Sequence, residues 1–392
     1  MRVSYNQDGA CFAVARTDGD RRGFNVYNAS PYRETFGRTF RDGGIGCVEM
    51  LFRCNILALV GGGAEPKFSP CKVMIWDDHQ GRCIGELGFK VPVRAVRLRR
   101  DKIVVALSHK VYVYNFSDLR VESQMDTSTN DAGLVVISPT TERMVLACPG
   151  LNKGQIRVEL FDGGTTKFIA AHESALACLA LSADGRLLAS ASEKGTLIRV
   201  FDTHTGELLH EFRRGSDKAI VYSLAFNAKN TLLGVTSDKG TVHVFRVPWQ
   251  PSASTADASA SPAPVVSRDL PAARSPPIIQ GDSQSGDRDR AALGKIVKKF
   301  LPKYFSSEWS LAQFKLPSTH RALVSFPAAD PDSCVVISEA GDYSRLVFDE
   351  RQGGEMMCVE SHRFDRLAVD EQRLSASQQQ QQRLHDDDDS LV

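Results

Sequence analysis

The chain has 392 residues, 42% of them hydrophobic, and a formal net charge of +1. That length buries a large core, as one large domain or as two or three ordinary ones. A balance this close to neutrality excludes broad electrostatic capture of nucleic acid, so any anion recognition has to come from a local cluster. Nine cysteines (Cys11, Cys47, Cys54, Cys71, Cys83, Cys148, Cys178, Cys334 and Cys358) are scattered without a CxxC pair. Most lie in apolar strand-like runs, which fits free thiols in a reducing compartment better than disulfides or zinc. With no N-terminal signal pattern and no run of about 18 apolar residues, the expected location is cytoplasmic, with membranes reached only peripherally.

In chain order, short apolar strand patterns alternate with turn residues, and helical periodicity is almost absent. One mark recurs, an aromatic–polar pair closing a strand: Tyr27-Asn28, Trp76-Asp77, Tyr114-Asn115, Phe161-Asp162, Phe201-Asp202, Phe245-Arg246 and Phe348-Asp349. The first six follow at about 38 to 49 residues, the period of a WD-type propeller blade. The last gap is about 103 residues, one period plus an insertion of about 60. Seven marks predict an all-β, seven-bladed WD-repeat-type propeller over residues 1–374. The Trp-Asp dipeptide itself occurs only at Trp76-Asp77, so the repeat is degenerate.

The clearest copy runs from Ala177–Leu181 through Leu187–Ser192 and the turn Lys194-Gly195-Thr196 to Ile198–Asp202. The next repeats it with Tyr222–Phe226, Leu232–Ser237, the turn Asp238-Lys239-Gly240-Thr241, and Val242–Phe245. Between the copies, a strand-like run from Gly206 to Phe212 ends in Arg213-Arg214-Gly215. Neighbouring residues of an extended segment point to opposite sides, so the two arginines are expected to serve two pockets. Each guanidinium is a planar fork of donors suited to phosphate oxygens, although an Arg-Arg doublet taken alone is also ordinary solvated surface.

Residues 248–292, rich in Ser, Ala, Pro and Asp, read as a disordered insertion in the sixth blade. Residues 293–305 end it differently: Leu293, Ile296, Val297, Phe300, Leu301 and Tyr304 fall at helical spacing among lysines, interrupted by Pro302. Ser306–Phe314 reads as a strand returning to the propeller. Residues 375–392, with a glutamine run and Asp386–Asp389, read as a disordered tail.

Several segments, in this order and at blade spacing, resemble the PROPPIN family of autophagy propellers that bind phosphoinositides. They are Ser4–Asp8, Val48–Leu51, Asn55–Gly63, Ile75–Asp78, Lys194–Arg199, Phe212–Gly215, Ser237–His243 and Leu301–Ser307. The likeness is nearest to plant and algal members and spans about residues 1–360 outside the insertion. It implies a non-catalytic effector, without a cofactor, that binds phosphatidylinositol 3-phosphate and phosphatidylinositol 3,5-bisphosphate at two rim sites. Such an effector would recruit autophagy machinery to preautophagosomal, endosomal or vacuolar membranes during autophagosome formation.

Carried over by motif position, one pocket would use Arg213 with His172, Ser192, Thr196 and Arg199. The other would use Arg214 with Ser237, Thr241 and His243, and Gly215 closes the motif. The chemistry suits the residue types: arginine supplies bidentate charge-assisted bonds, hydroxyls add short donors, and glycine turns let backbone N–H groups approach a phosphate. The bland alternatives are turn caps for the hydroxyls, structural hydrogen bonds for the histidines, and a carboxylate partner for Arg199. The resemblance further implies that Ile296, Val297, Lys298, Lys299, Phe300 and Leu301 meet the bilayer, against a linker helix packed on the propeller. It also implies that Asn6 and Asp8 meet a lipid-transfer protein of the autophagy-related-two type, against a plain polar turn. A monomer is expected.

Other classes find less support. There is no GxSxG elbow, HExxH, Walker A sequence or CxxC metal site, and Gly61-Gly62-Gly63 lacks the Lys-Ser/Thr of a phosphate loop. A propeller that only scaffolds proteins, such as a ligase adaptor, is the runner-up, separated by whether the edge between the fifth and sixth blades binds phosphoinositides. The cluster Arg94, Arg97, Arg99, Arg100 and Lys102 lacks interleaved aromatic residues, so a solvated blade edge suits it better than a nucleic-acid surface.

Overall fold

In each of seven sheets, strands adjacent in sequence pair antiparallel, so each blade is a four-stranded meander. The computed structural model describes residues 1–248, 308–327, 330 and 332–364. The expected insertion 248–292 apart from Pro248, the amphipathic segment 293–305 and the tail 375–392 lie outside them.

The first blade is Arg2–Tyr5, Cys11–Arg16, Gly23–Asn28 and Arg33–Thr39, and the second is Ile45–Met50, Ile56–Gly61, Lys72–Asp77 and Arg82–Gly88. The third and fourth run from Ala95 to Asp126 and from Val136 to Ala170. The fifth is Leu176–Leu181, Leu187–Ser192, Leu197–Asp202 and Leu208–Arg213. The sixth is Val221–Phe226, Leu232–Ser237, Thr241–Arg246 and Ala312–Lys315, and the seventh is Ala322–Ser325, Ser333–Ser338, Asp342–Val347 and Met357–Arg363. Third strands close on the expected marks, except that Phe161 opens a short 3-10 turn and Phe348 lies just past its strand.

Second strands are buried along their whole length in Cys11–Arg16, Leu187–Ser192, Leu232–Ser237 and Ser333–Ser338, and in all but their first residue in Ile56–Gly61 and Lys102–Ala106. Both faces of such a strand are covered by neighbouring blades, so it reads as a continuous run of apolar and small residues rather than as an alternation. Fourth strands form the rim and are largely exposed. The core is a set of seams between blades: Met50, Leu57, Phe24 and Val26 join the first and second, and Val244, Leu232, Val336 and Leu346 join the sixth and seventh.

The ring closes without strand exchange, because all four strands of the seventh blade come from 322–363. Phe12, Tyr27 and Ala29 of the first blade pack with Val335, Ile337, Tyr343 and Phe364 of the seventh. Phe12 stacks on Tyr27 at 5.0 Å between centroids and tilts against Phe364 at 5.5 Å. Two phenols fasten the seam: the Tyr343 hydroxyl donates to the Ala29 carbonyl at 2.6 Å, and the Tyr5 hydroxyl to the Val335 carbonyl at 2.9 Å.

The return from the insertion differs from the sequence expectation. Its strand begins at Ala312, not near Ser306. Before it, Glu308 makes an isolated parallel bridge to Phe212. Gly354–Glu355, from the seventh blade, adds a short parallel fifth strand outside Ala312–Lys315.

Candidate functional site

The fifth and sixth blades carry the same turn twice. In each, the second strand ends in a buried serine, Ser192 or Ser237, whose carbonyl accepts from the glycine N–H three residues on, at 2.9 Å for Gly195 and 3.0 Å for Gly240. Those glycines have φ of 60° and 65°, the left-handed region that favours glycine. The glycine of Lys-Gly-Thr therefore recurs because the fifth and sixth blades each place one left-handed residue between their second and third strands. At Gly195 the demand is doubled, since a Cβ there would lie 1.8 Å from the Ala219 carbonyl oxygen.

Arg213 and Arg214 lie at the end of the fifth blade's outer strand, beside the first of these turns. Arg213 is the last residue of its strand and pairs in register with Leu197. Its backbone N–H donates to the Glu308 carbonyl at 2.8 Å, so the chain returning from the insertion is fastened directly to the arginine motif. Arg214 is buried, with 7% of its surface exposed. Its backbone N–H donates to the Thr196 carbonyl at 2.9 Å, its Nε to the Gly195 carbonyl at 2.7 Å, and its Nη2 to the Asp217 carbonyl. Burial lowers the guanidinium pKa from its ordinary value, while Asp238 and Asp217 act in the opposite sense. The doublet is thus asymmetric: Arg214 ties the Lys-Gly-Thr turn of the fifth blade to the linker leading into the sixth.

The fifth-blade set comes together around one strand face. The His172 Nε2 is 2.9 Å from the Ser190 hydroxyl. Arg199 donates from Nη1 to the Ala171 carbonyl at 2.6 Å, and from Nε and Nη2 to Glu211 Oε2 at 2.9 and 2.8 Å. The carboxylate partner considered for Arg199 is therefore present. Burial, followed by the positive charge of Arg199, pushes the His172 ring down to about 4. In the sixth blade, His243 is 8% exposed, its Nδ1 lies 3.3 Å from the Ser310 hydroxyl, and its ring stacks on Phe245. Burial and the Arg214 guanidinium push it to about 4 as well. Both rings are neutral near pH 7, so the fixed charges of the edge come from arginine and lysine. Thr241 opens the third strand of the sixth blade opposite Lys315, and Gly215 follows the arginines with open space over its α-carbon.

Two features were missed by sequence reasoning. The segment Glu308–Ser310 passes both the Arg213 backbone and His243, and so connects the two residue sets. Lys315 ends the outer strand of the sixth blade, where Arg213 ends that of the fifth. Neither residue carries a motif, and only strand register reveals them.

On the first blade, the Asn6 side chain is buried in its turn, donating to the Phe52 carbonyl at 3.2 Å and accepting from the Cys11 N–H at 3.0 Å. Asp8 is exposed and lies 3.5 Å from Arg53 Nε. Of the two residues, Asp8 is the exposed one, and the Asn6 side chain holds the turn in shape. The membrane-contact set Ile296, Val297, Lys298, Lys299, Phe300 and Leu301 lies outside the described residues. The second-blade glycine run is a packing device: a Cβ at Gly61 would lie 1.6 Å from the Phe68 carbonyl oxygen. The basic cluster is internally compensated, with Arg94 on Asp131 at 2.9 Å, Arg97 on Glu49 at 3.6 Å, Arg99 on Asp101 at 2.8 Å, Lys102 on Glu122 at 2.5 Å, and Arg100 over the Phe52 ring.

A seven-bladed propeller whose fifth and sixth blades present duplicated glycine turns around one arginine pair defines a narrow class of β-propeller. Residues 2–270 match the family model of the PROPPINs. Autophagy-related protein 18e of Arabidopsis thaliana is 35% identical over 367 residues, covering 93% of this chain and 87% of that protein. Autophagy-related protein 18 of Yarrowia lipolytica is 32% identical over 389 residues, covering 90% and 93%. The chain belongs to the PROPPIN family. Among solved structures, Hsv2 of Kluyveromyces lactis superposes with a TM-score of 0.66 at 22% identity, over 92% of this chain and 98% of that one. The complex of KlAtg21 with the coiled-coil of AgAtg16 gives 0.69 at 23% identity, with the same coverage. No helix among the described residues is long and apolar enough to cross a membrane.

Proposed function

We propose that this chain is a non-catalytic phosphoinositide effector of autophagy. In this reading it binds phosphatidylinositol 3-phosphate and phosphatidylinositol 3,5-bisphosphate through two clefts flanking Arg213-Arg214. The observation that carries it is the duplication: one left-handed glycine turn per blade, each beside a cation, on a single rim. Turn N–H groups and hydroxyls offer short donors, and the cations supply charge-assisted bonds to a phosphate monoester. Each cleft alone binds weakly. Two on one rigid edge raise avidity, because the second headgroup is met at high effective concentration.

The insertion returns at Glu308 against the same edge, which supports a membrane-facing role for residues 293–305. Their lysines suit anionic lipid, and Ile296, Val297, Phe300 and Leu301 suit the interface. The protein would act peripherally, as a monomer, on preautophagosomal, endosomal or vacuolar membranes. There it would recruit a lipid-transfer protein of the autophagy-related-two type near the Asn6–Asp8 turn. Flotation with vesicles containing phosphatidylinositol 3-phosphate tests the reading. The wild type floats and a folded Arg213→Ala, Arg214→Ala double variant does not; equal flotation of the two overturns it.

A further inference from the structure

We propose that Lys315 is the phosphate-binding cation of the sixth-blade cleft, the counterpart there of Arg213 in the fifth. This rests on the headgroup reading above and adds to it a residue that no motif marks. In every blade the last residue of the fourth strand lies opposite the start of the third. In the fifth, sixth and seventh blades these pairs are Leu197 with Arg213, Thr241 with Lys315, and Asp342 with Arg363. In the first four they are Gly23 with Thr39, Lys72 with Gly88, Lys110 with Asp126, and Gln155 with Ala170. A cation therefore ends the outer strand in three consecutive blades and in no other. Residues directly opposite in an antiparallel pair share one face of the sheet, and Lys315 and Arg363 each donate to a carbonyl of their own blade's turn, that of Lys239 and of Ala340.

The three blades differ in what faces that cation. In the seventh, the turn is Ser338-Glu339-Ala340-Gly341, without the lysine and threonine of the other two. Asp342 Oδ1 lies 3.4 Å from Arg363 Nε, and its other oxygen accepts from the Ser338 hydroxyl at 3.0 Å. The chain's own carboxylate thus fills the place where a phosphate would sit. In the sixth blade, threonine stands where the seventh has that aspartate. Lys315 is exposed, and its ammonium donates to the Lys239 carbonyl at 2.5 Å, one of three donors it carries. Arg214, by contrast, is committed through Nε and Nη2 to backbone carbonyls. The exposed ammonium beside the second turn is the group a phosphate monoester meets.

The test uses phosphatidylcholine vesicles with and without phosphatidylinositol 3-phosphate, together with calorimetry of inorganic phosphate. Lys315→Ala should weaken vesicle binding about tenfold, the loss of one charge-assisted hydrogen bond. Lys315→Arg should restore it, and Arg363→Ala should leave it unchanged. Lys315→Ala combined with Arg213→Ala should reduce flotation to background, with circular dichroism confirming that every variant is folded. Wild-type binding by Lys315→Ala, while the Arg213→Ala, Arg214→Ala variant fails to bind, overturns this inference and leaves the headgroup reading standing. Loss of inorganic phosphate binding with vesicle binding intact also overturns it. A wild type that ignores both vesicles and phosphate overturns both.

Discussion

Substituting the two turn glycines should have unequal consequences, because only their dihedrals are alike. A side chain in the left-handed region costs about 1–2 kcal/mol. At Gly240 little is added: a Cβ would find the Ser318 carbonyl oxygen at 3.1 Å and Thr319 Cγ2 at 3.3 Å, contacts relieved by a shift of tenths of an ångström. Gly240→Ala should therefore cost about 1–2 kcal/mol. At Gly195 the Cβ would stand 1.8 Å from the Ala219 oxygen and 2.8 Å from its carbonyl carbon. The backbone has to move, and overpacking of this kind adds about 1–3 kcal/mol, for a total of about 2–5 kcal/mol. The movement also displaces the Gly195 carbonyl that holds Arg214 Nε, so binding suffers with stability. Urea melts give the first quantity and vesicle flotation the second. Equal midpoints for the two variants, or wild-type flotation by Gly195→Ala, would refute the reasoning.

The His172 and His243 rings, both lowered to about 4 mainly by burial, should titrate there in NMR spectra of the folded protein; midpoints near 6.5 contradict their burial. Between about 4 and 6.5 the unfolded chain holds protons that these folded rings have released. Their contribution to stability is therefore present above 6.5 and lost as pH falls through that window. Glu49, pushed to about 7 by burial, acts oppositely between 4.5 and 7, so melts of a His243→Gln variant against wild type isolate the histidine effect. Tyr343→Phe leaves the Ala29 carbonyl without its phenol donor at the closing seam and should cost about 1–3 kcal/mol in a urea melt without weakening vesicle binding. A cost below about 0.5 kcal/mol would mean that this phenol does not fasten the ring.

The blade count was legible because an aromatic residue stands at the end of each third strand or just past it, and that residue is placed by packing between blades. The paired turns were legible because a left-handed position leaves so few residue choices. Ring closure was not, since its bonds join residues 314 and 330 positions apart and carry no local pattern. The returning strand was placed several residues early because Glu308–Ser310 is extended yet makes only an isolated bridge. Arg214 illustrates a subtler limit: alternation in a strand assigns the doublet to two sides, but the strand stops at Arg213, and the second guanidinium turns back onto the carbonyls of Gly195 and Asp217. Asn6 shows the same limit from the other side, as a polar turn residue whose amide is consumed by the Cys11 N–H of its own hairpin and the Phe52 carbonyl of the second blade.

The most direct measurement of the central claim is calorimetric titration of a soluble, short-chain phosphatidylinositol 3-phosphate into the wild type and the Arg213→Ala, Arg214→Ala variant. Two headgroups bound per wild-type chain, and none by the folded variant, is the predicted result. Binding that survives loss of both arginines, or a wild type that binds none, would contradict it.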